Sequence, residues 1–237
     1  MSRRFLEQRV LAGCALLALL TSCQPDPPTH VLFIGNSLTY INGGLDTHLQ
    51  ELSAGTETHC VASGGRTLEQ HWAEGRALKA IRQGGWDYVV LQEQSQTPIF
   101  NRTNFCTAVR QFNQAIRQSG AKTILLMTWE RPDSCQKGVT TTNLEAVFTA
   151  LSAELGAKVA PAGVAFARSL RAKPDLPLYT ADGHPTRAGT CLASCVLYGT
   201  IFQRSPVGLR YSDPSLAPDV RTHLQRIAAE VLGYWRG

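Results

Sequence analysis

The chain has 237 residues, with 23 lysines and arginines against 18 aspartates and glutamates and a formal charge of +5 at pH 7. The basic residues are scattered and have no interleaved aromatics, which excludes the basic stripe that nucleic-acid binding needs. No Cys-x2-Cys unit occurs and the histidines stand singly, which argues against a zinc site; no metal or other cofactor is called for.

The first 22 residues carry Arg3, Arg4 and Arg9, then an apolar stretch over 10–20, then Thr21-Ser22-Cys23. That order of charge, apolar core and small residues is an export signal. Its core of about 11 residues is too short to cross a bilayer, which takes roughly 20. Leu20-Thr-Ser-Cys23 resembles the bacterial lipobox, so Cys23 is the expected lipidation site, with residues 23–29 as a proline-stiffened tether. Leu11-Ala-Gly-Cys14 fits the same short pattern, but cleavage there would leave the apolar core uncut. The expectation is a periplasm-facing lipoprotein, and the resemblance to bacterial lipoproteins with no aspartate after the cysteine implies the outer membrane. Removing residues 1–22 leaves 215, and one domain over 30–237, possessing a core on two layers, accounts for them. The charge falls to +3, since Arg3, Arg4, Arg9 and Glu7 are lost and 20 basic residues face 17 acidic ones. Nothing in the chain calls for an oligomer.

Apolar runs alternate with longer mixed-period stretches, the order of a parallel sheet covered by helices. Strands are predicted over 31–34, 57–62, 87–91, 123–128 and 158–162. Helices are predicted over 45–52, 68–82, 105–119, 143–155, 186–202 and 218–234. The fold class is therefore α/β: three layers, α-β-α, around a mostly parallel five-stranded sheet of flavodoxin-like form. Five cysteines follow Cys23. Cys191 and Cys195 stand four apart, where both can face a core, and Cys106 with Cys135 is the preferred disulfide in an exported protein.

Two segments carry the chemistry. Val31-Leu-Phe-Ile-Gly-Asn-Ser-Leu38 is an apolar strand that stops at Gly35 and presents Ser37, and Asp182-Gly-His-Pro185 is a polar turn near the other end. Strand ends are where open α/β sheets place reactive groups. A serine hydroxyl needs a base to become a nucleophile, and His184 sits in the best loop to supply one. His71, the rival, falls in a helix beside Trp72 and is expected to pack or to face solvent.

Phe33-Ile-Gly-Asn-Ser-Leu38, Ala62-Ser-Gly-Gly-Arg-Thr67 and Asp182-Gly-His-Pro185, in that order, resemble the blocks of the SGNH hydrolase superfamily, the GDSL-like esterases and lipases. The resemblance is to its exported bacterial branch. It implies Ser37 as nucleophile, His184 as base, Asp182 as the acid that orients it, and the N–H groups of Ser37 and Gly65 in an oxyanion hole. Two features depart from the family. Its acid stands three residues before the histidine, where this chain has Ala181, and its Gly-x-Asn-Asp block is missing. Counting from the third strand puts the oxyanion amide on Gln96, with Gln92 and Gln94 as alternatives. Asn36, Gln92, Gln94, Trp129 and Glu130 are candidates for the substrate rim. The implied activity is hydrolysis of small O-acyl esters, O-acetyl groups on carbohydrate or envelope glycan above all. A thioesterase or other acyl hydrolase using the same residues and a non-catalytic, lipid-anchored glycan-binding protein are the competing readings.

Overall fold

The computed structural model describes residues 28–210 and 213–235. The expected export segment 1–22 and the expected lipidation site Cys23 lie outside them. In chain order the elements are β1 (Thr29–Gly35), α1 (Ser37–Tyr40), a 3-10 turn (Ile41–Gly43), α2 (Leu45–Leu52), β2 (Thr56–Ala62), α3 (Leu68–Glu74), α4 (Arg76–Gln83) and β3 (Tyr88–Gln92). There follow α5 (Thr97–Phe100), α6 (Arg102–Gln118), β4 (Lys122–Leu126), α7 (Pro132–Cys135), α8 (Thr141–Leu155), β5 (Lys158–Ala160), α9 (Ala162–Ala172), α10 (Arg187–Phe202) and α11 (Pro218–Tyr234). Among the described residues no helix is long and apolar enough to cross a membrane.

The five strands form one sheet in the order β2-β1-β3-β4-β5, and every pairing is parallel. Alternation along a strand divides its side chains between two faces. Val31 and Phe33 of β1 join a core with α2, α9, α10 and α11, while Leu32 and Ile34 join another with α3, α4, α6 and α8. Each central strand is thus buried on both sides, which is why it reads as an unbroken apolar run. The expected three-layer architecture is the one observed. The order reverses at β1, with β2 to one side and β3 to the other, so the loops after β1 and β3 open a crevice at the carboxyl edge.

Three expectations change. The helix predicted over 68–82 is two, because at Gly75 (φ 75°) the backbone turns left-handed and its N–H closes on the carbonyls of His71 and Trp72. Helix α9 begins directly after β5 with no side-chain cap, and its apolar start reads in sequence as more strand. The Cys106–Cys135 disulfide is absent: all five described cysteines are free. Cys106 turns from α6 toward the second core, and the Cys135 thiol is hydrogen-bonded to the Glu130 carboxylate. Cys191 and Cys195 are both fully buried against the first core.

Candidate active site

Strand β1 delivers the serine through a tight turn. A Cβ on Gly35 would lie 2.3 Å from Thr39 Oγ1 and 2.5 Å from Gln92 Oε1, two buried atoms bonded to each other, so only glycine passes there. Asn36 then caps α1: its Oδ1 accepts the N–H of Leu38 at 3.1 Å, and its Nδ2 donates to the carbonyl of Arg66 at 3.0 Å. Ser37 is the first residue of that helix, where a backbone N–H has no intrahelical acceptor. His71 backs the turn, its Nε2 donating to the carbonyl of Gly35 at 2.7 Å; burial lowers its pKa and keeps the ring neutral. It is a buried packing histidine, away from the cleft.

The opposite side comes from the turn 180–184. Thr180 N–H donates to His184 O at 2.8 Å, Gly183 sits at φ 83°, and Tyr179 bridges Pro185. Asp182 makes an Asx-turn: Oδ1 accepts the backbone N–H of His184 at 3.2 Å while Oδ2 lies 2.8 Å from the same residue's Nδ1. The Thr180 hydroxyl, at 2.5 Å, and then His184 hold this carboxyl well below the usual carboxylate range. His184 Nε2 in turn lies 2.8 Å from Ser37 Oγ. The fold also ties the two turns together, since Asn42, just after the nucleophile helix, donates to Pro185 O at 2.8 Å and Thr190 Oγ1 at 3.0 Å.

A cleft of about 200 Å³ opens over the pair, lined by Asn36, Ser37, Leu38, Gly65, Gln94, Ser95, Arg131, Asp182 and His184. Gly65 presents a backbone N–H with no internal acceptor, at φ 68°. The three glutamines separate clearly. Gln92 is buried and its oxygen receives Asn36 N–H at 2.8 Å and Thr39 Oγ1 at 2.9 Å, so it braces the Ser37 turn from behind. Gln94 lines the cleft, and its oxygen accepts from Gln96 N–H at 2.8 Å and Thr97 N–H at 3.2 Å, which leaves its amide N–H groups as the uncommitted end. Gln96, the residue that counting indicates, stands at the N-cap position of α5 with no side-chain cap bond and does not line the cleft.

Trp129 and Glu130 line a groove other than the Ser37 cleft. Trp129 is 1% exposed, stacked on Phe166 at 4.1 Å, and its Nε1 donates to the carbonyl of Gly183 at 3.2 Å. It supports the histidine turn from below. Glu130 accepts the N–H of Thr141 at 2.7 Å and caps α8; burial pushes its pKa up, and the bonds from Thr141 and Cys135 more than offset that. Arg131, unremarked in the sequence, lines the cleft instead. It is paired with Asp133 at 2.5 Å and lies so close under the turn that a Cβ on Gly183 would meet its Cδ at 2.1 Å. A second groove, of about 520 Å³, shares no lining residue with the cleft and is lined by Trp129, Glu130, Thr141, Glu145, Tyr179 and Arg171 among others. Among the described residues no group of three or more His, Cys, Asp or Glu is placed to hold a metal ion.

Over 73% of its length, at 30% identity and a TM-score of 0.65, the chain is similar to 99% of a protein from Slackia heliotrinireducens described as an SGNH hydrolase. A DUF4886 family protein from Bacteroides uniformis matches 88% of this chain with 96% of its own, at 18% identity and a TM-score of 0.73. A variant of an acetyl-xylooligosaccharide esterase from Geobacillus matches 79% with 97%, at 15% identity and a TM-score of 0.56. The last two likenesses speak to the fold alone. Comparison with family models and with curated proteins found no match.

Proposed function

This chain belongs to the SGNH hydrolase superfamily, and we propose that it is a serine ester hydrolase working through an acyl-Ser37 intermediate. The observation that carries the reading is the unbroken run from Asp182 Oδ2 to His184 Nδ1 and from His184 Nε2 to Ser37 Oγ, 2.8 Å at each contact. His184 takes the Ser37 proton as Oγ attacks the ester carbonyl, then returns it to the departing alcohol. Asp182 holds the imidazole in the tautomer with the proton on Nδ1 and stabilises its charged form. The N–H groups of Ser37 and Gly65 and the side-chain amide of Gln94 receive the developing oxyanion. Water, activated by His184, then releases the acid and frees the serine.

A cleft of about 200 Å³ suits a short acyl group such as acetyl better than a long chain. The polar groove of about 520 Å³, lined by Tyr179 and by Glu130, the chain neighbour of the cleft residue Arg131, suits a carbohydrate as the alcohol. Export and lipidation at Cys23 complete the proposal, on the order of charge, apolar core and small residues in the first 23 positions.

Hydrolysis of p-nitrophenyl esters of increasing acyl length tests the reading. Acetate should be the best substrate and Ser37→Ala should abolish turnover. Activity unchanged in Ser37→Ala would refute the nucleophile, and a strong preference for acyl thioesters would refute the leaving group.

A further inference from the structure

Three consecutive residues at the end of β3 face three different ways. Gln92 braces the Ser37 turn and Gln94 lines the cleft, while Glu93 between them is 2% exposed and does not line the cleft. Its carboxylate collects two backbone donors from separate elements. Oε1 accepts the N–H of Gln94 at 2.6 Å; the N–H of Leu68, which opens α3 three residues after Gly65, reaches Oε2 at 3.1 Å and Oε1 at 3.3 Å.

We propose that Glu93 is a positioning residue of the oxyanion hole, clamping the Gly65 loop and the Gln94 segment to each other so that their donors keep one spacing. The inference rests on the reading of those two groups as oxyanion donors. The rest of the Gly65 loop is already pinned, by Ser63 N–H on Gly35 O at 3.2 Å and by Asn36 on Arg66 O. Glu93 supplies the remaining anchor at its far end. Donor position matters because an oxyanion hole works by being in place before charge develops, with no reorganisation during the reaction.

A carboxylate is the side chain that fits this task. It has acceptor oxygens only, whereas glutamine would turn an NH2 group toward one of the two N–H donors. The same carboxylate is unfavourable for folding. Burial, with a smaller repulsion from Glu69 on α3, raises Glu93 to about 7 in spite of the two backbone bonds. A buried anion that weakens the fold, sits next to the reacting centre and joins two of its parts has its use in the geometry it holds.

The test is Glu93→Gln in the full-length exported protein, alone and combined with Gln94→Ala. Expected are a kcat lower by about tenfold or more, a KM within about twofold, and a melting temperature at pH 8 no lower than that of the parent. In the Gln94→Ala background the Glu93→Gln loss should shrink by about threefold or more, because one of its two routes is gone. Full kcat in Glu93→Gln, or an equal loss in both backgrounds, overturns the proposal while leaving the Ser37 chemistry intact. Normal kcat in Gln94→Ala instead removes the reading of the donor, and the clamp with it. Should Glu93→Gln not fold, Glu93→Asp, which keeps the charge but is one methylene too short to reach both donors, must lower kcat; unchanged kcat there overturns the proposal equally.

Discussion

Asp182 holds His184 twice, through the backbone N–H at 3.2 Å and through ring Nδ1 at 2.8 Å, so a single carboxylate fixes both the turn and the imidazole it carries. Asp182→Asn should therefore lower kcat with the fold retained, since an amide oxygen can still accept the backbone N–H. Removing a buried orienting carboxylate costs about 10⁴-fold in serine proteases. Here the Asp182 side chain is 68% exposed and water screens part of its charge, so a loss of roughly 10- to 100-fold is expected. Steady-state kinetics with a thermal melt check it, and a folded Asp182→Asn protein with parental kcat would show that His184 needs no acid.

Gln94→Ala removes the amide donor facing the cleft, which should cost about 2–4 kcal/mol in the transition state, or roughly 10²-fold or more in kcat. Gln96→Ala should leave kcat close to that of the parent, because this side chain does not line the cleft. Comparing the two variants at saturating substrate decides between the positions. A damaged Gln96→Ala beside an intact Gln94→Ala would reverse the assignment.

The pairing of Ser37 with His184 was legible because each lies in a short segment with its own local signal: an apolar strand ended by glycine, and a polar turn before proline. Two registers were less legible. The acid spacing was one residue short of the family's, and the Asx-turn around Gly183 makes up the difference. Counting from β3 points to Gln96, whereas Gln92 and Glu93 are buried and Gln94 is the glutamine that lines the cleft. Trp129 lines the larger groove and not the Ser37 cleft, with its ring stacked on Phe166 and its N–H on the Gly183 carbonyl. Arg131 carried no local signal; its place in the cleft depends on the turn arriving from fifty residues further along the chain.

Cys23→Ser removes the thiol that lipidation needs. The protein should then leave the membrane fraction or accumulate with its export segment attached, as two-phase detergent partitioning and the intact mass would report. Unchanged membrane fractionation and mass would refute the anchor.

The last expectation concerns stability against pH. Glu93 titrates near 7 in the folded protein against an ordinary 4.5, so the folded state holds its proton more tightly than the unfolded one. The sign follows: its neutral form favours folding below about 4.5, and that contribution is lost as pH rises toward 7 and levels off beyond it. A difference of this size corresponds to about 3 kcal/mol at most between pH 4.5 and 8. Glu93→Gln cannot ionise, so the stability of the variant relative to the parent should rise from pH 5 to pH 8 in denaturant unfolding. An offset between the two proteins that stays constant across that range would show that Glu93 remains ionised throughout, and that the clamp carries its charge without penalty.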